Sequence, residues 1–196
     1  RKDPVWEELG MAVYRQCLEC RSVIAFSEGR RYAEKLAYYV NLLGGDGFAR
    51  VHHGSLSKEQ RAVAEQDLRE GRLRLLCATS SMELGIDVGD VEAVFNYDIP
   101  QDDEYYVHRI GRTGRAGREG KAFSLVVGRE VYKLRDIQRY CKTRIIPQAI
   151  PSLNDITEKK GRSGDLDLMK DLCQMMKTQS LCETGEEIAE AVLAAI

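Results

Sequence analysis

Two kinds of hydrophobic pattern alternate along the first 141 residues of the chain. Four stretches place apolar residues at helical spacing, and they cover residues 5–20, 29–43, 57–70 and 130–141. Between them lie short, nearly continuous apolar runs of strand length, at residues 22–27, 49–53, 73–78, 91–96 and 122–127. Strands of this kind that alternate with helices are typical of a parallel sheet covered on both sides. The pattern therefore predicts an α/β fold, an open parallel β-sheet flanked by helices on both faces.

The predicted loops after the strands collect small and polar residues. These loops are residues 27–29, 53–55, 79–81 and 96–98. In open α/β sheets, ligands bind outside the carboxyl ends of the strands. We therefore expect one edge of the sheet to carry the functional groups, including Gly54 and Thr79, and we expect the arginines described next to lie at the same edge.

The most distinctive stretch, residues 105–118, spaces four arginines three residues apart and places glycines among them. The arginines are Arg109, Arg112, Arg115 and Arg118, and the glycines are Gly111, Gly114 and Gly117. Because each glycine weakens a helix, the stretch predicts a short helix that runs into a tight turn and points its arginines one way. Guanidinium groups on such a frame suit the oxygens of a polyphosphate. A basic surface loop is the plainer alternative, which the interleaved glycines disfavour.

The character of the chain changes at Pro147. Prolines and polar residues mark residues 147–162 as a linker or extension after a first domain at residues 1–146. A small helical tail, residues 163–196, is predicted to follow, in an acidic region with seven acidic and three basic residues from position 161 onwards. Its two apolar stripes are Leu166, Met169, Leu172 and Met176, then Ile188, Val192 and Leu193 after a Thr184–Glu187 capping box. Two short amphipathic helices cannot stand alone, so we expect the tail to form a homodimer, with docking on its own domain as the alternative.

The composition of the chain indicates the redox environment of the protein and limits the classes of partner it is expected to bind. The net charge is −2, so nucleic-acid binding requires a local basic site. Six cysteines are scattered through predicted helices and strands, which is typical of a reducing cytoplasm rather than of a disulfide framework. Cys17 and Cys20 form one C-x-x-C pair inside a predicted helix without a second pair, so no metal site is expected. Apolar runs of membrane-spanning length are absent from the sequence, and we expect no membrane partner.

Three motifs give the chain a resemblance to a known family. Residues 53–57 read His-Gly-Ser-Leu-Ser and are followed by Arg61, residues 85–88 read Gly-Ile-Asp-Val, and residues 108–115 read His-Arg-Ile-Gly-Arg-Thr-Gly-Arg. Together they resemble motifs of the second RecA-like domain of superfamily 2 helicases, most closely the bacterial DEAD-box RNA helicases. Residues 140–155 and the acidic tail resemble the extension and the dimerisation segment of the cold-shock-type members.

The resemblance implies roles in ATP hydrolysis for five residues. Arg112 and Arg115 would be arginine fingers that reach the γ-phosphate of ATP. His108 would couple the cleft to the other domain. Gly85 would let the backbone approach the nucleotide, and Asp87 would bind the ribose or tie two motifs together.

The resemblance also implies a nucleic-acid contact and a missing half. Gly54, Arg61 and Thr79 would touch the backbone of the bound strand, with RNA as the expected partner and DNA as the alternative. The chain has no G-x-x-x-x-G-K-[ST] motif and no Asp-Glu-Ala-Asp box, and it starts without methionine. ATP and Mg²⁺ would then be held mainly by an N-terminal RecA-like domain in cis, and this chain alone should be inactive.

Four positions depart from the DEAD-box pattern. Aspartate and arginine of the family's fifth motif are replaced by Ser80 and Leu84, a glutamine is replaced by Lys58, and a threonine is replaced by Gly29. The sequences of residues 52–57 and 79–87 resemble more closely those of the large helicase-related DNA helicases of bacteria. Two alternatives therefore stay open: a DNA helicase of that type, and a non-catalytic interaction module that kept the fold.

Overall fold

A computed structural model describes residues 4–79, 88–114, 119–126, 130–148 and 192–195 of the chain. The parallel strands of its sheet are β1 (Val23–Ser27), β2 (Ala49–His52), β3 (Leu75–Thr79), β4 (Ala93–Asn96) and β5 (Lys121–Val126). They lie side by side in the order β2-β3-β1-β4-β5. The chain leaves β1 towards one edge and β4 towards the other, so the connections diverge between these two neighbours. The predicted open parallel sheet is confirmed.

Helices cover both faces of this sheet. In the described residues they are α1 (Pro4–Glu19), α2 (Arg30–Gly44), α3 (Lys58–Arg69), α4 (Asp103–Ile110) and α5 (Glu130–Cys141). Side chains alternate across a strand, so Val23 and Ala25 of β1 pack with α1 and α2, whereas Ile24 and Phe26 pack in a second core with α3. A third core joins α4 and α5 to Val126 of β5.

An aromatic stack fixes the start of α1 against the carboxyl end of β4. Trp6 is buried, and its ring stacks on Tyr97, which follows β4, with 5.2 Å between ring centroids and 18° between the planes. Tyr32 in the first turn of α2 stacks on the other two rings, at 6.1 Å from Trp6 and 5.2 Å from Tyr97. The first helix is thereby held against the loops that follow β1 and β4.

The local signals read from the sequence set the start of α3 as predicted. The Ser57 hydroxyl accepts a hydrogen bond from the Gln60 backbone N–H at 3.2 Å, and the Gln60 side-chain oxygen accepts one from the Ser57 N–H at 3.1 Å. This reciprocal pair satisfies two donors that an uncapped helix would leave free. Gly71 follows the helix with a φ of 74°, a left-handed conformation that glycine adopts without strain.

The end of the chain corrects the prediction. Val192 and Leu193 were assigned to a helical stripe, but they lie in strand β7 (Val192–Ala195), which pairs antiparallel with β5 and with β6 (Ile146–Gln148). A short apolar run does not distinguish a buried strand from a helix by its periodicity. Pro147, predicted to open a linker, lies within β6, at the outer edge of the sheet where a missing backbone donor is tolerated. The other predicted tail and linker residues, 149–191, lie outside the described residues.

Candidate functional site

The loop after β2 is open to solvent at Gly54. Gly54 is exposed, and a Cβ added there would meet nothing within 4 Å. Its neighbour Ser55 accepts a hydrogen bond of 3.0 Å from Nη1 of Arg30, which links this loop to the start of α2. Thr79 ends β3 and is buried. Because helix α3 starts four residues after Gly54, its first backbone N–H groups lie close by, and such groups favour anions.

Arg61 and two histidines lie behind this loop. His52 is buried, with Nε2 at 2.7 Å from Oε1 of Glu65. Burial lowers the pKa of His52, the contact with Glu65 opposes that shift, and the charge of half-buried Arg61 lowers the pKa further. His53 is also buried, with Nε2 at 3.2 Å from Oε1 of Glu34, but neither of its ring nitrogens makes a hydrogen bond. Its burial and its carboxylate partner identify His52 as a structural residue.

The arginine stretch forms the predicted short helix that runs into a tight turn. Helix α4 starts after Asp102, whose Oδ1 accepts a hydrogen bond of 2.8 Å from the Glu104 N–H. The helix ends at Ile110 and is capped by Gly111, whose N–H donates to the Val107 carbonyl at 2.7 Å. Gly114 then takes a φ of 68°, which favours glycine at the bend.

Arg109 corrects the prediction that the arginines point one way. It is 1% exposed and lies with its guanidinium carbon 5.6 Å from the centroid of the Phe26 ring, inside the protein. Its Nη1 donates to the Asp98 carbonyl at 3.0 Å and to Asp98 Oδ1 at 3.1 Å. A spacing of three keeps side chains on one face only within a helix, and α4 ends between Arg109 and Arg112.

The backbone of Arg112 lies at the opposite edge of the sheet from Gly54 and Thr79. The Arg112 carbonyl accepts a hydrogen bond of 3.0 Å from the N–H of Val91, which precedes β4. The Thr113 hydroxyl donates to the carbonyls of Val91, at 2.6 Å, and Glu92, at 3.0 Å. Helix α4 leaves the carboxyl end of β4 and runs back along the sheet, so the turn after it, the arginine turn (residues 111–114), is at the amino edge. The prediction of a single functional edge was wrong for this reason.

The structure describes five of the eight predicted site residues and places them in two separate regions. His108 is exposed on α4, one helical turn before Arg112, which is half-buried. Gly85, Asp87 and Arg115 lie outside the described residues. The described members therefore form two groups: Gly54, Arg61 and Thr79 towards the carboxyl edge, and His108 with Arg112 near the amino-edge turn.

The sequence interpretation missed Asp98, which bonds to Arg109 of α4 and to the loop after β1. Asp98 was counted only as one polar residue of a loop, yet its Oδ2 also accepts a hydrogen bond of 2.7 Å from the Glu28 N–H. The signal available in the sequence was an aspartate two residues after a predicted strand and eleven residues before Arg109, the first arginine of the distinctive stretch. Tyr106 is a packing residue, because its hydroxyl lies 3.0 Å from Ser124 Oγ in the core, and burial raises its pKa to about 12.

Other features of the described part add no second site. A groove of about 660 Å³ lies between α2, β2 and α3, and the predicted site residues do not line it. In the ranges that the structure describes, no group of three potential metal ligands comes together. The helices of those ranges are also too short or too polar to cross a membrane.

Comparisons with known proteins match most of the chain. Residues 9–117 match the model of the helicase conserved C-terminal domain. The chain is 36% identical over 172 residues to the DEAD-box ATP-dependent RNA helicase CshA of Geobacillus kaustophilus, covering 85% of this chain and 35% of that protein. It therefore spans about a third of the length of this curated relative.

Solved structures give the same result for the fold. The E. coli DEAD-box protein SrmB, bound to the regulator of ribonuclease activity A, is 32% identical, with a TM-score of 0.62 over 77% of this chain and 93% of that chain. The helicase Lhr of Mycobacterium smegmatis, bound to single-stranded DNA and AMP-PNP, is 38% identical, with a TM-score of 0.52 over 57% of this chain and 15% of that chain.

A second family model matches the end of the chain. Residues 146–196 match the iron–sulfur binding region of NADH-ubiquinone oxidoreductase F, which is about a quarter of the chain. An iron–sulfur cluster of the common kinds is held by four cysteine thiolates. Residues 146–196 contain only Cys173 and Cys182, so their donor set does not fit a cluster. The match leaves the predicted dimerisation role of the tail untested.

Proposed function

The chain belongs to the helicase conserved C-terminal domain family, as a RecA-like domain of the DEAD-box type, and from this premise we propose that it is the second RecA-like domain of an ATP-dependent RNA helicase. In this role it supplies arginines to ATP that another domain of the full-length protein holds, and it grips the backbone of one RNA strand. Closure of the two domains on both ligands would unwind or remodel a duplex.

The observation that carries the proposal is the construction of the arginine turn. The Arg112 carbonyl accepts from the Val91 N–H, and the Thr113 hydroxyl donates to the Val91 and Glu92 carbonyls. The N–H groups of Arg112 and Thr113 donate to carbonyls at the end of α4, so the Cα of Arg112 is held on a stiff frame. A guanidinium presented in this way suits the oxygens of a transferring phosphoryl group, and such an arginine contributes about 10³–10⁵ in rate in other NTPases. The exposed His108 lies on α4, the helix that precedes this turn, where it would meet the other domain.

The remaining nucleotide contacts are proposed from the motifs alone. Arg115 would be the second finger, and Gly85 would let the protein backbone approach the nucleotide. Asp87 would bind the ribose or tie two motifs together. The donors in this chain are guanidinium and imidazole groups, which fit phosphate oxygens, whereas the P-loop lysine and hydroxyl that hold the β-phosphate and Mg²⁺ have no counterpart in the sequence. The chain alone should therefore hydrolyse ATP negligibly.

The nucleic-acid grip is proposed at the carboxyl edge. Open space above Gly54 would allow a phosphate to approach the backbone, and the nearby start of α3 favours its negative charge. Arg61 and Thr79 would complete this contact. Phosphate contacts carry no sequence information, so the grip would be general for one strand and sensitive to salt.

Substitution of Arg112 in the full-length protein tests the proposal. We expect Arg112→Ala to lower kcat for ATP by at least about 100-fold with little change in KM, because the finger acts on charge that develops in the transition state. Arg21→Ala is the matched control, since Arg21 is an exposed arginine at the same amino edge, paired with Glu92. A kcat within twofold of the wild type for Arg112→Ala would contradict the finger role.

A DNA helicase is the second candidate, and a specific observation favours it. The similarity to Lhr, whose structure holds single-stranded DNA, agrees with the departures at Ser80 and Leu84. Stimulation of the ATPase by matched RNA and DNA oligonucleotides distinguishes the two candidates. ATPase activity itself eliminates the third, a non-catalytic interaction module.

The homodimer through residues 163–196 and the cytoplasmic location stay predictions from the sequence. The stripe at Leu166, Met169, Leu172 and Met176 supports self-association. The second stripe does not support self-association, because Val192 and Leu193 pair within the sheet. Sedimentation of the chain with and without residues 163–191 measures the oligomeric state.

A further inference from the structure

We propose that Asp98 is a positioning residue that ties the strand-gripping loops at the carboxyl edge to the helix that carries the arginine turn. The proposal rests on the function proposed above for Arg112. It assigns to Asp98 the coupling of nucleic-acid contact to ATP hydrolysis, without contact between Asp98 and either ligand.

Asp98 makes the link because its carboxylate has a different partner on each oxygen. Oδ2 accepts from the backbone N–H of Glu28, in the loop after β1, at 2.7 Å. Oδ1 accepts from Nη1 of Arg109 at 3.1 Å, and the carbonyl of Asp98 itself accepts from the same nitrogen at 3.0 Å. Asp98 thus bonds both to the loop after β1 and to the last turn of α4.

The connection continues from both ends of this link. On the loop side, Arg30 lies two residues beyond Glu28 and donates to Ser55 Oγ at 3.0 Å, next to Gly54. On the helix side, the Arg109 carbonyl accepts from the N–H of Arg112 at 3.2 Å. A continuous path of hydrogen bonds and short chain segments therefore joins the open loop of the carboxyl edge to the arginine turn.

The burial of Arg109 makes the link stiff. Its side chain is fully buried, against 18% exposure for Asp98, and it lies over the Phe26 ring. A buried guanidinium can move little, because any displacement from its carboxylate would leave a charge without compensation in a medium of low polarity. A displacement of the β1 loop by a bound strand would therefore reach α4 as a shift of the whole helix rather than be absorbed by one side chain.

The substitution Asp98→Asn tests this link at a single atom. It keeps an oxygen for Arg109, but it places an amide N–H opposite the Glu28 N–H, where two donors face each other. Asp102→Asn is the matched control, because it is the same change four residues later and asparagine caps a helix as well as aspartate does.

In the full-length protein, we expect Asp98→Asn to lower kcat at saturating single-stranded RNA by about tenfold, a typical coupling between sites. The KM for ATP and the rate without RNA should stay within twofold of the wild type, which a merely structural defect would not spare. In an Arg112→Ala background, Asp98→Asn should have no further effect, because it acts through Arg112. Asp102→Asn should match the wild type throughout.

Three results would overturn the proposal: a kcat with RNA within twofold of the wild type, an equal loss with and without RNA, or a loss that multiplies with that of Arg112→Ala. Failure of the proposed function is distinguishable, because Arg112→Ala alone would then leave kcat unchanged. Hydrogen exchange supplies a readout that needs no catalysis. Asp98→Asn should speed the exchange of the Val91 amide, which bonds to the Arg112 carbonyl, and unchanged exchange there would contradict the link.

Discussion

The carboxyl edge and the amino-edge turn both carry predicted site residues, but they are built in opposite ways. At the carboxyl edge, Gly54 has open space above it, and the neighbouring Ser55 accepts a side-chain hydrogen bond from Arg30. At the amino edge, the turn is enclosed: a Cβ on Gly120 would clash with the backbone nitrogen of Gly114. The difference shows that packing leaves space at Gly54, whereas it holds the backbone of the arginine turn in one position.

The sharpest way to break this contrast is to add one methyl group at each edge. Gly120→Ala should lower the free energy of unfolding by about 3 kcal/mol, because its Cβ would meet backbone atoms of Gly114 that cannot move without displacing the arginine turn. Gly54→Ala should change it by less than about 0.5 kcal/mol and should instead weaken nucleic-acid binding. Chemical denaturation of both variants measures the difference. Equal losses of stability would mean that the two edges are equally packed.

A smaller effect is expected from loosening the turn without adding volume. Thr113→Val removes the hydroxyl that donates to the Val91 and Glu92 carbonyls, and we expect it to destabilise the protein by about 1 kcal/mol. Thr113→Ser keeps the hydroxyl and is the control. Thermal unfolding of the three proteins gives the result, and a Thr113→Val protein as stable as the wild type would show that these bonds do not hold the turn.

The smallest expected effect concerns the acid sensitivity of the carboxyl edge. Burial holds the pKa of His52 below its ordinary value of 6.5, so the unfolded chain takes up a proton at a higher pH than the folded one does. The stability that neutral His52 contributes is complete above that ordinary value and is lost as the pH falls through the folded pKa. His52→Gln should therefore flatten the fall in unfolding free energy between about pH 7 and pH 5.

Denaturation of His52→Gln and the wild type over a pH series provides the measurement. Above about pH 7.5 the two curves should run parallel, because His52 is neutral in both states there. Identical slopes at acid pH would show that this histidine does not link protonation to folding.

The sequence predicted those features that depend on local chemistry. The bounds of α5 agree residue for residue with the apolar periodicity of residues 130–141, and Ser57 with Gln60 set the start of α3. The short helix before the arginine turn followed from the cost of its glycines. Each of these depends on neighbours a few residues apart, which periodicity and capping preferences describe.

The sequence did not predict features that depend on direction in space. Arginines spaced three residues apart look the same in the sequence whether they lie in a helix or in a turn. The spacing therefore could not indicate that Arg109 enters the core while Arg112 belongs to the turn beyond it. The rule that ligands bind at the carboxyl ends of strands also did not account for α4, which runs back to the amino edge of the sheet. The two edges are roughly 20 Å apart, as estimated from the strand rise per residue over residues 91–98. The pairing of Val192 with Val126 depends on residues far apart in the sequence, which no local pattern contains.

The aromatic stack at the start of α1 gives the protein a native optical reporter. The chain contains one tryptophan, and its indole ring lies 5.2 Å from the ring of Tyr97, the residue before Asp98. The Lys35 ammonium, 4.8 Å from the indole centroid, adds a charge to which indole emission responds. Emission on selective excitation of Trp6 therefore comes from a single place, beside the loop that links the two edges, and rearrangements of that loop can be followed in real time without a label.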